Sequence, residues 1–340
     1  MLIEVGRRNR NFKALQDKHP GLFIKQIKTS DQLAISTLQR EAVFYHQVCN
    51  QPRFAALKQM LPDFVDYDPS RYALVIKLIP QGESLAEYQQ RTAALSAPAA
   101  AAMGRALGRC HAQLPHVMAE PATAQLLRGE IPWTMSLKET GYAILDSFGG
   151  VGALLASAIR EHPTLEILLS QLRQNWQYDS LIHGDPKWEN FIVCDGDDTG
   201  ESNLKLIDWE LVDVGDGAWD VAMVLKEYLV SWILSIPDPA NPTPHVFAPA
   251  NQLALADIQP CVRRFWQAYS AERGLSAAAA DIYFKRAVRF TSGRLIVAIL
   301  EYFFPLNQLN NHAYAMLKLS LDILQNPEKA SLDLLGAQTI

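Results

Sequence analysis

Apolar residues near the start of the chain come in short runs with turns between them. The stretches LIEV, FKAL, GLFIKQI and RYALVIKLI, all within the first 80 residues, read as strands of an antiparallel sheet. Between the third and fourth run, STLQREAVFYHQV places Leu38, Phe44, Tyr45 and Val48 on one helical face. The pattern therefore predicts a small sheet carrying one helix. At IPQGESLAEY the character changes: Pro80 and Gly82 punctuate, Ser84 can cap a helix, and helical spacing dominates from there on. SAPAAAAMGRALGRCHAQL is an Ala-rich helix with Ser96 as cap and Pro98 in its first turn. TLEILLSQLRQNWQY sets Leu165, Leu168, Leu169, Leu172 and Trp176 on one face, and RLIVAILEYFF is an apolar helix stopped by Pro305. The apolar run 141–159 is broken by Asp146 and by Gly149-Gly150, so it reads as two buried helices meeting at a turn and not as a membrane span. Five prolines between Pro237 and Pro249 make a surface loop or lid of 236–249. The expected fold class is α+β and bilobal: a sheet-rich lobe over 1–79, a hinge near 77–82, and a larger helical lobe over 80–340.

Charge changes this picture in one respect. A net charge of −5 argues against a general nucleic-acid binder. Its distribution is uneven, however. Residues 1–28 carry seven Lys/Arg, whereas 185–220 carry eleven Asp/Glu against Lys187 and Lys205. A basic edge facing an acidic segment suits a polyanion held by a divalent cation. The four cysteines lie far apart, with no CxxC pair, which fits neither a zinc site nor a disulfide framework and points to a reducing cytoplasm. The first residues, MLIEVGRRNRNF, contain no apolar signal region, and no membrane association is expected.

The candidate chemistry is concentrated in LIHGDPKWENFIV. LIH and FIVC flank it as short strands, and NLKLID follows after a polar turn, so FIVC and NLKLID form a hairpin. Asp185 and Asn190 lie in the loop before the hairpin, and Asp208 ends its second strand. Folding back brings Asn190 and Asp208 together. An amide oxygen and a carboxylate, completed by water and phosphate oxygens, are a usual way of holding Mg²⁺. Asp185 is then free to accept a proton. The turn itself, with Asp195, Asp197, Thr199 and Gly200, is similar to a calcium loop, but its twelfth position is Leu206 where an acid is needed.

H-G-D-x-x-x-x-N at 183–190, I-D-W-E at 207–210 and G-D-G-A-W-D at 215–220 together resemble the aminoglycoside phosphotransferase/choline kinase family, over roughly residues 1–325. The resemblance implies a protein-kinase-like fold and an ATP- and Mg²⁺-dependent transfer of the γ-phosphate to a hydroxyl. Carried onto this chain, it makes Asp185 the catalytic aspartate and Asn190 and Asp208 the metal ligands. Lys187 falls where many protein kinases place a lysine beside the γ-phosphate. His183 braces the loop, Asp216 and Asp220 are structural acids, and Asp220 caps backbone N–H groups of the catalytic loop. In the first lobe, Lys25 lies in an otherwise apolar strand, where a lone ammonium is costly unless paired. Glu41 on the following helix is placed to pair with it, as in the family. Gly6 is the one glycine between the first two strands, and Arg7, Arg8 and Arg10 there could reach phosphate or simply form a basic turn. Backbone groups around Lys77, Leu78 and Ile79 would read the adenine. Only eleven residues separate Asp208 from Asp220, too few for a peptide-docking platform, so a small hydroxyl-bearing acceptor is expected. Asp213, Glu227, Arg294 and Glu301 are unranked candidates for its pocket. Open alternatives are a nucleotide-binding pseudokinase acting as a regulatory module, a kinase acting on a small peptide, and a nucleotidyl transferase.

Overall fold

The computed structural model of the protein describes residues 1–5, 10–15, 21–27, 31–194, 203–238 and 251–337. The N-terminal part is a five-stranded antiparallel sheet of β1 (Leu2–Glu4), β2 (Arg10–Ala14), β3 (Leu22–Gln26), β4 (Phe64–Asp68) and β5 (Ala73–Lys77) in the order β1-β2-β3-β5-β4. The four predicted strands are present. β4 was not among them, because a register shift between Phe64 and Asp66 breaks its alternation and Val65 is left exposed on this edge. Helix α1 (Gln32–Asn50) is capped by Asp31, whose carboxylate accepts from the Ala34 N–H at 2.9 Å. Its buried face contains Leu38, Phe44, Tyr45 and Val48, and among these apolar residues lies one charged one, Glu41.

After the sheet the chain becomes mainly helical. The longer helices are α2 (Leu85–Thr92), α3 (Ala97–His111), α4 (Gly149–Arg160), α5 (Pro163–Gln174), α6 (Gly217–Ser235), α7 (Leu255–Glu272), α8 (Ala277–Phe303) and α9 (Asn311–Gln325). Ser84 and Glu87 form a reciprocal capping box at the start of α2, and Ser96 caps α3. The Ala-rich α3 lies against α7 so closely that a Cβ on Gly104 would stand 2.3 Å from the Phe265 carbonyl oxygen. Small residues are what permit that approach. α6 is buried along almost its whole length and packs on α8, α7 and α9. The run 141–159 folds as a short helix, Tyr142–Ser147, meeting α4 at Gly149 (φ +64°), and no helix among the described residues is long and apolar enough to cross a membrane.

Three short strand pairs position the polar loop. β6 (Glu83–Ser84), β8 (Phe191–Cys194) and β9 (Asn203–Leu206) form one small sheet, and β7 (Ser180–Ile182) pairs with β10 (Asp213–Gly215). β8 and β9 are the predicted hairpin, with Phe191 opposite Leu206. The Leu206 N–H donates to the Met60 carbonyl at 2.7 Å, which ties the hairpin to the segment leading into β4. The calcium-like turn 195–200, Arg7 and Arg8, and residues 239–250 of the Pro-rich stretch lie outside the described residues.

Candidate active site

Lys25 points from β3 into a cluster of acids, and the register places it between Asn11 on β2 and Leu74 on β5. Its ammonium lies 2.9 Å from Glu41, 2.9 Å from Glu210 and in close contact with Asp208. Glu41 is fixed from its other side, where Oε1 accepts from the Trp209 N–H at 3.0 Å. Trp209 is fully buried, stacks on Phe44 of α1 with centroids 4.9 Å apart, and meets the His183 ring at 4.6 Å. The tryptophan of I-D-W-E thus clamps α1 against the end of β9. Three carboxylates around one ammonium leave an excess of negative charge. Burial, only partly offset by Lys25, accordingly pushes the Glu41 carboxyl up to about 7. Burial alone would lower Lys25, but Glu41, Asp208 and Glu210 hold it well above the usual lysine range. Asp208 would also be raised by burial, yet Lys25 brings it below the usual carboxylate range.

Beyond β7 the chain turns at Gly184, with φ +87°; a Cβ there would lie 2.7 Å from the Leu211 carbonyl oxygen. His183 is fully buried, and its Nε2 meets the Ile207 carbonyl at 2.9 Å while its Nδ1 accepts from the Asp185 N–H at 3.3 Å. That network requires the neutral imidazole with the proton on Nε2, and burial lowers its pKa in the same sense. Asp185 pairs with Lys187 at 2.8 Å. The Asn190 amide donates to the Asp185 carbonyl at 2.8 Å, and the Ile207 N–H donates to the Asn190 carbonyl at 3.0 Å. Asp208 follows at once in the left-handed conformation, φ +68°. This turn swings Glu210 back toward Lys25.

The loop is held from behind by α6. Asp220, fully buried, accepts from the His183 N–H at 2.6 Å and the Gly184 N–H at 3.1 Å, and His111 Nε2 lies 3.3 Å from it. Burial would raise its pKa, but His111 and Arg294 keep it below the usual range. Arg294 on α8 donates to the Gly184 carbonyl at 2.8 Å and lies 3.8 Å from the centroid of the Trp219 ring. Asp216 caps α6 by accepting from the Ala218 N–H at 3.0 Å and pairs with Arg286.

One cavity of about 1540 Å³ is lined by Lys25, Glu41, Lys77, Leu78, Ile79, Asp185, Lys187, Asn190 and Asp208, that is, by all nine site residues read from the sequence. At the hinge the Lys77 N–H donates to the Asp63 carbonyl and the Leu78 N–H to the Gly21 carbonyl, at 2.9 and 2.8 Å. The Lys77 ammonium pairs with Asp63. The Ile79 N–H has no such partner among the described residues. Of the unranked pocket candidates, Arg294 and Glu301 line the cavity. Asp213 also lines it, while its carboxylate gathers the N–H groups of Arg128, Gly129 and Glu130 at 2.7–3.2 Å. Glu227 pairs with the buried Lys226 and lies off this cavity, on a smaller one. Glu210 had no role in the sequence reading. Its signal was the spacing of I-D-W-E, which puts it two residues past Asp208.

The donors fit a divalent cation. Glu41, Asp208 and Glu210 bring carboxylate oxygens within 4.8 Å of one another, the residues are hard oxygen donors, and the cluster has negative charge to spare. Among solved structures, a choline kinase from Cryptosporidium parvum Iowa II is 16% identical, with a TM-score of 0.57 over 98% of this chain and 90% of that one. An ethanolamine kinase from Plasmodium vivax gives 13% identity and 0.53 over 94% and 81%; a choline kinase from Streptococcus pneumoniae gives 14% and 0.52 over 96% and 93%. At such identities the likeness establishes the fold, which is the bilobal protein-kinase-like one. No curated protein matches the sequence. The model of the phosphotransferase enzyme family, however, matches residues 1–261, and the chain belongs to that family.

Proposed function

We propose that this phosphotransferase moves the γ-phosphate of ATP to a hydroxyl of a small molecule in a magnesium-dependent reaction. Lys25, held by Glu41, binds the α- and β-phosphates. The Ile79 N–H and the neighbouring carbonyls read the adenine, with residues 1–79 as the nucleotide lobe and 80–340 as the lobe of the loop and acceptor pocket. Asn190 and Asp208 hold Mg²⁺, which when bound neutralises charge on the transferred phosphoryl group. Asp185 orients the acceptor hydroxyl and accepts its proton, and Lys187 sets the position of Asp185 while adding positive charge beside the γ-phosphate. The wall of Ile131, Trp133, Trp219, Val297 and Glu301 receives the acceptor. Catalysis on this reading is positioning plus electrostatics.

The observation that carries the reading is the convergence of all nine residues, drawn from two stretches more than a hundred positions apart (25–79 and 185–208), on one cavity. The short link from Asp208 to Asp220 favours a small acceptor. The four cysteines lie far apart in the sequence with no CxxC pair, which supports a cytoplasmic setting. The test is ADP release from Mg-ATP against pools of amino alcohols, aminoglycosides and other hydroxyl-bearing metabolites, with Asp185→Asn as blank. Stimulation by one pool, absent from the variant, supports the reading. Mg-ATP binding with silence in every pool would transfer weight to a nucleotide-binding regulatory module.

A further inference from the structure

Gly217 opens α6 where three polar side chains crowd together. A Cβ there would lie 2.3 Å from the Tyr283 hydroxyl, 2.5 Å from Ser180 Oγ and 2.6 Å from His111 Nδ1. Glycine is what lets these groups converge. Behind it runs a buried chain of hydrogen bonds: the Tyr283 and Tyr269 hydroxyls are 2.8 Å apart, Tyr269 lies 2.8 Å from His111 Nδ1, and His111 Nε2 lies 3.3 Å from Asp220 Oδ2. All four residues are buried, and they come from α8, α7, α3 and α6.

The direction of the chain follows from its end. The Asp220 carboxylate only accepts, so His111 has its proton on Nε2 and its Nδ1 is an acceptor. Tyr269 must then donate to Nδ1, which leaves its oxygen to accept from Tyr283. Each donor polarises the next toward Asp220 Oδ2, the same oxygen that accepts from the His183 N–H. Without the Tyr269 proton, Nδ1 would be an unpaired buried acceptor. The imidazole could then change tautomer or turn, and Asp220 would lose the donor that balances the two loop amides.

We propose that Tyr269 and Tyr283 are positioning residues that set the loop bearing Asp185 through His111 and Asp220. The functional meaning of that loop rests on the reading above, but its mechanical control can be measured without any substrate. The measurement is residue-resolved amide hydrogen exchange on the full chain without nucleotide, comparing wild type with Tyr269→Phe and Tyr283→Phe. Both substitutions keep the ring and remove one hydroxyl. A lost hydrogen bond should speed exchange at His183 and Gly184 by roughly 3–10-fold in Tyr269→Phe, and less in Tyr283→Phe, where His111 keeps its donor. Amides of β3 and β5 should be unchanged. On an acceptor found in the pool assay, kcat should fall by a similar factor with nucleotide KM unaltered. Unchanged loop amides would overturn the proposal, as would uniform acceleration through α3, α7 and α8, which would signal general loosening. An enzyme silent in every pool but showing the localised change would count against the proposed reaction and leave the positioning role intact.

Discussion

Asp185 and Asp208 line the same cavity, but their surroundings give them different work. Asp185 pairs with Lys187; Asp208 is locked onto Lys25 beside two further acids. Asp185→Asn should therefore reduce transfer by about 100-fold or more while Mg-nucleotide affinity stays near wild type by titration calorimetry. Asp208→Asn should weaken Mg-nucleotide binding itself, by roughly the 10–100-fold that disturbing a metal's surroundings costs. Equal loss of nucleotide affinity in both variants would contradict the division of roles. Lys25→Met makes a complementary case. It strips the cation that pairs with all three clustered carboxylates, two of them partly exposed, and should cost on the order of 2–3 kcal/mol in urea unfolding. Added Mg²⁺ should raise its Tm more than that of the wild type, because the ion supplies the missing charge. The residues at these positions were legible in the sequence because the loop and hairpin fix their spacing. Glu210 was not, since its place beside Lys25 depends on the left-handed turn at Asp208. Arg294 could be named as a pocket candidate, but its bond to the Gly184 carbonyl was not legible, because it reaches across 110 positions.

Between elements, α3 lies close on α7, and two glycines there behave differently. At Gly104 a Cβ meets the Phe265 carbonyl oxygen at 2.3 Å and the Tyr269 nitrogen at 2.9 Å, both backbone atoms that cannot step aside. At Gly108 its nearest neighbours are Glu272 Cβ at 2.9 Å, Cγ at 3.1 Å and the Tyr269 carbonyl oxygen at 3.3 Å, a looser fit although the Cβ too is fixed to the α7 backbone. Alanine improves helix propensity by about 1 kcal/mol at either position. Gly104→Ala should nevertheless lower stability by about 1–3 kcal/mol through overpacking, whereas Gly108→Ala, with more room, should cost less, both read from urea midpoints. Equal effects would show that the helices can slide apart. The helix pattern was readable here because small residues cluster on one segment, but its partner was not, since nothing local in α3 points to residues 255–272. Strand pattern carried similar limits: β3 and β5 announce themselves as apolar runs, while the bulged edge strand β4 and the two-residue β6 carry too little alternation to register.

Across the whole molecule, pH acts on buried groups of opposite sense. Burial pushes Glu41 and Glu189 up to about 7, so folding favours their protonated forms and their contribution is lost as pH rises through 7. His111 is also fully buried, but burial lowers its pKa below 6.5, and Asp220 offsets only part of this. Its unfolded state binds a proton more readily than its folded state. Its contribution is therefore complete above pH 6.5 and lost as pH falls from there toward the lower folded value. The wild-type profile mixes these slopes, so its overall shape does not report on any one group. A difference measurement isolates His111. In His111→Gln an amide N–H can still donate to Asp220, but no ring titrates. Urea midpoints of both proteins at pH 7.5, 6.5 and 5.5 should show the variant less stable than wild type at 7.5, with the gap narrowing toward 5.5 because only the wild type pays for excluding a proton from the imidazole. A gap that widens toward 5.5 would mean that the folded state binds the proton more readily than the unfolded one, and a constant gap that the imidazole titrates alike in both. Widening would remove the neutral imidazole on which the donor chain from Tyr283 to Asp220 depends, since a charged ring could not accept from Tyr269.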